Sequence, residues 1–133
     1  TSGANSIAQR ASIEALNTNE EWLSEMRSIF VRRRELVTDL FSNIEGFKTN
    51  MPGGAFYLFP EVSALFGHSF NGQEVNDSHD LCMFFMNECH VAMVPGEAFG
   101  APGYVRMSYA TSEANLKEAA RRIKIGVEKL LHH

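Results

Sequence analysis

Apolar residues recur at helical spacing along the first forty or so positions. Ile7, Ala8, Ala11, Ala15 and Leu16 make a stripe that predicts a first helix over residues 6–16. Asn17, Thr18 and Asn19 break it and offer an N-cap to the next element. From Glu20 an acidic first turn suits the positive end of a second helix. Its apolar positions, Trp22, Met26, Ile29, Phe30, Leu36, Val37, Leu40, Phe41 and Ile44, hold a 3.6-residue period for about six turns. That is about twice the ordinary helix length, and so long a helix often bridges two bodies. Gly46 can close it in the left-handed conformation.

Beyond Gly46 the pattern shortens. Residues 47–50 read as a short strand, Pro52-Gly53-Gly54 as turn punctuation, and Ala55-Phe56-Tyr57-Leu58-Phe59 as a strand stopped by Pro60. With no polar face, this strand is expected to be covered on both sides. The polar stretch 67–78 reads as a loop. Asp77 or Ser78 then caps a helix carrying Leu81, Cys82, Phe84, Phe85, Met86 and Cys89. Residues 91–94 form a third strand ended by Pro95-Gly96, and 103–110 a fourth. Thr111 or Ser112 caps a last amphipathic helix with Leu116, Ala120, Ile123, Val127, Leu130 and Leu131. The sum is an α+β fold, a small, mostly antiparallel sheet flanked by helices, with a long N-terminal helix.

A chain of 133 residues is long enough for one domain with a real core. With 44% hydrophobic and 21% charged residues, it has the balance of a folded globular protein. A net charge of −4 argues against general nucleic-acid binding. No apolar run approaches the roughly 18 residues of a membrane-spanning helix. Residues 1–9 lack the basic start and apolar stretch of a secretory signal, so a cytoplasmic setting is expected. The opening on Thr1 rather than Met is what a piece of a longer protein would show.

Cys82 and Cys89 sit seven positions apart in one predicted helix, about 10 Å by helical rise, too far for a disulfide. They read as small core residues in a reducing compartment. A metal set of Cys82, Cys89 and His90 lacks the usual ligand spacing, and no metal site is expected. His68, His79 and His90 are scattered, with no motif bringing a nucleophile to them. His132-His133 reads as a tag remnant or frayed tail. Arg32-Arg33-Arg34 points three ways around its helix and reads as a solvated face. Gly53-Gly54 precedes a strand, not a helix N-terminus. It is therefore expected to be a tight turn with close backbone approach rather than a phosphate loop.

Arg106 stands apart. It lies in GYVRMSYA among Tyr104, Val105, Met107 and Tyr109, with no acid in the strand. A guanidinium cannot shed its proton, so burial must be offset by an anion or by carbonyls. A carboxylate gripped by both arms of the fork is the best geometric match. Glu97 and Glu113 flank the strand and are available. The residues alone leave three readings open: an internal salt bridge, an exposed tip, or a receptor for a ligand carboxylate.

Three segments together carry a family resemblance: MPGGAFYLFP (51–60), VAMVPGEAFG (91–100) and GYVRMSYATSE (103–113). They resemble the C-terminal part of the fold-type I pyridoxal-phosphate aminotransferases of class I/II, most of all the bacterial aspartate aminotransferases. TSGANSIAQ (1–9) resembles the segment before the last helix of their large domain. The resemblance implies that residues 1–30 are the end of the large domain and the start of a connector helix, and 31–133 the small domain. It also implies that Arg106 grips the substrate α-carboxylate, with Phe56 packed beside it. Ser2 would be a secondary candidate, near the pyridoxal-phosphate phosphate in the partner subunit's site.

The same resemblance implies amino acid and 2-oxo acid substrates of the aspartate/2-oxoglutarate type, a homodimer, and neither nucleic acid nor membrane as partner. One departure matters. The family's cofactor lysine stands in an S-x-x-K context, and none of Lys48, Lys117, Lys124 and Lys129 does. That lysine is expected upstream of Thr1 in the missing large domain. This stretch would hold no catalytic residue, bind no cofactor and be inactive alone. Ile7, Ala11, Leu16 and Trp22 would then expose apolar surface. The alternatives are a non-catalytic α+β module binding an acidic ligand or partner protein, and a pyridoxal-phosphate lyase or synthase sharing the fold.

Overall fold

A computed structural model describes residues 2–132. Thr1 and His133, half of the expected His132-His133 tail, lie outside the described residues. The chain divides into two compact units, Thr1–Val31 and Arg32–His133.

In the first unit, helix α1 spans Ser6–Asn17, and the Asn5 side chain accepts the Ala8 amide hydrogen bond at 2.8 Å. None of its residues is buried. Ile7 is 82% exposed, Leu16 87% and Trp22 53%, and Ala11 is exposed too, as expected of a piece cut from a longer protein. Helix α2 spans Glu20–Ser42, 23 residues, and continues into the second unit, where Val37 and Phe41 are fully buried.

The second unit is an α+β layer. A three-stranded antiparallel sheet runs in the order β1 (Tyr57–Leu58), β5 (Val105–Ser108), β4 (Val94–Pro95). Tyr57 lies opposite Ser108 and Leu58 opposite Met107, while Val94 lies opposite Arg106. A separate hairpin joins β2 (His68–Phe70) to β3 (Gln73–Val75). Helix α3 (Ser78–Phe84) is capped by Asp77, whose carboxylate accepts the Asp80 amide at 2.9 Å. Helix α4 (Glu113–Leu131) is capped by Ser112 and buries Leu116, Ala120, Ile123, Val127 and Leu130. The core gathers these with Leu58, Val105, Met107 and Tyr109, and with an aromatic run of Phe41, Phe47, Phe85 and Phe84. Among the described residues no helix is long and apolar enough to cross a membrane.

Several sequence expectations are corrected here, each for a local reason. The strand expected at 47–50 is a single bridge, Lys48 to Glu61. The strand expected at 55–59 shrinks to Tyr57–Leu58, because Ala55 has φ 58°, in the left-handed region. It is not fully covered on both sides either, since Leu58 is buried while Tyr57, on the opposite face, is only half-buried. Residues 67–78 are no loop. Asn71 (φ 51°) and Gly72 (φ 78°) make a two-residue turn with both central residues left-handed, which matches the twist of a hairpin.

The third strand falls at Val94–Pro95 rather than 91–94, because the preceding helix ends differently from expectation. After Phe84 a π-helical segment, Phe85–Cys89, carries the chain on, and His90 closes it at φ 55°. Helical rise alone therefore does not describe the spacing from Cys82 to Cys89, though both thiols are free and buried. The fourth strand is likewise shorter, Val105–Ser108. Gly53 and Gly54 show no close approach: a Cβ on either would meet nothing within 4 Å. The arginine triplet is only partly solvated. Arg32 is exposed and lies 3.9 Å from Glu113, but Arg33 and Arg34 are half-buried with shielded Nε atoms.

Candidate functional site

Arg106 sits on β5, the middle strand of the sheet, where the alternation of the pleat sends Val105 and Met107 into the core and Arg106 and Ser108 to the other face. On that face β1 supplies Tyr57, opposite Ser108 and so diagonal to Arg106, within reach of a long side chain. The guanidinium carbon lies 4.3 Å from the centroid of the Tyr57 ring. It lies 4.3 Å from the Phe99 ring as well. Phe99 ends a 3-10 turn, Gly96–Phe99, that follows β4 directly. A guanidinium over an aromatic face is drawn to the ring's negative quadrupole.

These rings belong to a longer aromatic series. Phe99 meets Phe59 edge-on at 6.0 Å, and Phe59 stacks on Tyr104 at 5.4 Å. On the other side Tyr57 contacts Phe56 at 4.6 Å. Phe56, the aromatic singled out from the sequence, thus adjoins Tyr57, the ring stacked on Arg106.

The internal salt bridge considered for Arg106 does not form among the described residues. Glu113 faces Arg32, and Glu97 pairs with no cation among the described residues. Nor does the guanidinium donate to any carbonyl or hydroxyl there. Arg106 is half-buried and held by two rings, and no acceptor among the described residues takes its N–H edge. An isolated cation in that state is complemented best by a planar anion arriving at the edge of the fork.

The loop that leads into β1 is tied down at several points. Arg34 Nη1 donates to the Pro52 carbonyl at 3.3 Å, and the Tyr109 hydroxyl donates to the Ala55 carbonyl at 2.9 Å. The Tyr109 amide donates to the Phe56 carbonyl at 2.9 Å. Burial pushes the Tyr109 phenol above its ordinary pKa, with Arg34 acting in the opposite direction. Sequence reasoning missed Tyr57, Phe99, Arg34 and Tyr109. The available signal was the density of aromatic residues in the segments around a lone arginine.

Within the second unit, the remaining candidates do not gather around Arg106. Ser2 is exposed and belongs to the first unit. Cys82 is pushed up to about 12 and Cys89 to about 11, chiefly by burial, so neither thiol is a ready nucleophile. No group of three His, Cys, Asp or Glu side chains among the described residues is arranged to hold a metal. A groove of about 380 Å³ opens between β5 and α4, but its Arg122 is neutralised within it by Glu118 at 2.8 Å. The lysines offer no setting for a Schiff base. Lys117, Lys124 and Lys129 are exposed on α4, and Lys48 pairs with Glu61 at 3.2 Å. The residues present therefore do not fit a covalently held pyridoxal phosphate.

Comparison with known proteins gives one consistent answer. The family description "Aminotransferase class I and II" matches residues 1–123. The aspartate aminotransferase of Rhizobium meliloti (strain 1021) is 41% identical over 131 residues, 98% of this chain and 32% of that protein. A bifunctional aspartate aminotransferase and glutamate/aspartate-prephenate aminotransferase of Petunia hybrida is 41% identical over 128 residues, 93% of this chain and 27% of that protein. Among solved structures, the Rhizobium meliloti aspartate aminotransferase superposes with a TM-score of 0.91 at 41% identity, over 98% of this chain and 33% of that one. The Thermus thermophilus aspartate aminotransferase with maleate gives 0.78 at 35% identity, over 93% of this chain and 30% of that one. This chain spans about a third of the length of the curated relatives it matches.

Proposed function

The chain belongs to the class I and II aminotransferase family, and on that premise we propose that it is the substrate-carboxylate half of a pyridoxal-phosphate-dependent transaminase of the aspartate/2-oxoglutarate type. Residues 31–133 are its small domain, and residues 1–30 are the end of the large domain with the start of the connector helix. Arg106 receives the α-carboxylate of the amino acid and of the 2-oxo acid, and Phe56 belongs to the aromatic wall beside it. Ser2 is assigned to the phosphate region of the partner subunit's site in a cytoplasmic homodimer.

One observation carries this reading. Arg106 is half-buried and ring-stacked, yet no acid or carbonyl among the described residues takes its N–H edge. A site left without its own anion is matched to a substrate that brings one. Two parallel N–H···O bonds would fix the direction of the carboxylate and hence of the amino group attached next to it.

Pyridoxal phosphate supplies the electron sink for amino transfer in such enzymes. The residues that would hold it covalently are assigned to the large domain, because the four lysines here do not fit. This chain by itself is therefore expected to have no transaminase activity.

The test is Arg106→Lys in the intact enzyme. A lysine keeps the charge but replaces a planar fork by a point donor. kcat/KM for aspartate should fall about a hundredfold, in line with about 1.5–3 kcal/mol for a charge-assisted bond. An unchanged kcat/KM would reject the assignment.

A further inference from the structure

The segment VPGEAFG has no role in the reading above beyond making a turn, and its aromatic residue is the one that reaches Arg106. Phe99 is 47% exposed, so core burial does not account for its ring. The backbone that carries it is nevertheless tightly built. A Cβ on Gly96 would overlap the carbonyl oxygens of Ala101 and Tyr104, and Gly100 closes the turn at φ 70°. The Gly96 amide donates to Tyr104 at 2.8 Å, and the Ala101 amide to Gly96 at 3.0 Å. The turn holds a half-exposed phenylalanine in one place, with its face 4.3 Å from a guanidinium. The Tyr57 ring lies at the same distance. The guanidinium thus lies over two ring faces at once, and no ring contact pairs Tyr57 with Phe99 among the described residues.

We propose that Phe99, with Tyr57, clamps the guanidinium of Arg106 by its ring faces, and that Phe99 is a positioning residue for carboxylate recognition. With rings over the guanidinium, an anion gains access through the N–H edge, in the plane of the fork. The clamp also lowers the number of rotamers that a long arginine side chain loses on binding, which is preorganisation rather than an added contact. The clamp itself stands on the geometry of this chain; its role toward substrate rests on the carboxylate reading of Arg106.

The experiment has two arms. In this chain, ring currents should shift the Arg106 Nε–Hε proton upfield of the other arginines. Phe99→Leu should abolish most of the Phe99 contribution, and Phe99→Tyr should keep it. A shift that Phe99→Leu leaves unchanged would overturn the clamp whatever Arg106 binds. In the intact aminotransferase, Phe99→Leu should raise KM for the amino acid about tenfold, with kcat within about twofold. Phe99→Tyr should restore KM. Equal KM values for the leucine and tyrosine variants would reduce Phe99 to packing and overturn its positioning role. If Arg106→Lys also left KM unchanged, the carboxylate reading would fail, while the chemical-shift arm would still report on the clamp alone.

Discussion

The phenol of Tyr109, just past β5, donates to the carbonyl of Ala55, just before β1, across 2.9 Å. Ala55 holds a left-handed φ of 58° there, an uncommon conformation for a residue with a Cβ. The bond links the strand of Arg106 to the loop that presents Phe56 and Tyr57. Tyr109→Phe removes the donor and leaves the ring in place. It should cost about 1 kcal/mol, a fall of several degrees in Tm measured by calorimetry. An unchanged Tm would show that water replaces the bond at no cost.

Helix α4 approaches the π-helical segment so closely at Gly126 that an added Cβ would overlap Cys89 Sγ. Gly126→Ala should therefore destabilise the second unit by about 1–3 kcal/mol through overpacking, despite the better helix propensity of alanine. Cys89→Ala makes room at that point. In a double-mutant cycle by chemical denaturation, Gly126→Ala should cost less in the Cys89→Ala background. Additive effects would place the strain elsewhere.

The two buried thiols give a pH dependence of fixed sign. Their folded values, about 12 for Cys82 and about 11 for Cys89, lie above the ordinary 9.0, so the fold favours the protonated form. This contribution to stability is fully present below pH 9 and is lost as pH rises from 9 toward 11–12. At pH 8 the thiolate fraction of either residue in the folded chain is about a thousandth or less. A disulfide reagent should label neither cysteine in native protein at pH 8 and both in denaturant. Rapid labelling of the native chain would contradict this burial.

The helices were legible because their signals are local. Asp77 and Ser112, each one of two cap candidates in the sequence, accept the capping amide bond, and Asn5, not singled out there, caps α1 in the same way. The apolar period of α2 likewise survives from Glu20 to Ser42. The strands were less legible, since two-residue strands leave no alternation to detect. Asn71-Gly72 was a readable hairpin signal hidden in a polar stretch. The π-helical turn at Phe85–Cys89 and the left-handed Ala55 have no signature in residue type. Arg106 was conspicuous as a charge in an apolar strand. Its neighbours were not, because residues 57, 99 and 106 meet only through strand register and a turn that folds back over the sheet.

If Arg106 receives a substrate carboxylate, its guanidinium edge is where a bound dicarboxylate will be found. The most direct measurement is a crystal structure of the intact aminotransferase with a bound dicarboxylate such as maleate. That role predicts one carboxylate in the plane of the Arg106 guanidinium, with two N···O distances of about 2.7–2.9 Å, and the rings of Tyr57 and Phe99 still in place. A bound dicarboxylate that leaves the N–H edge of Arg106 in solvent would contradict it.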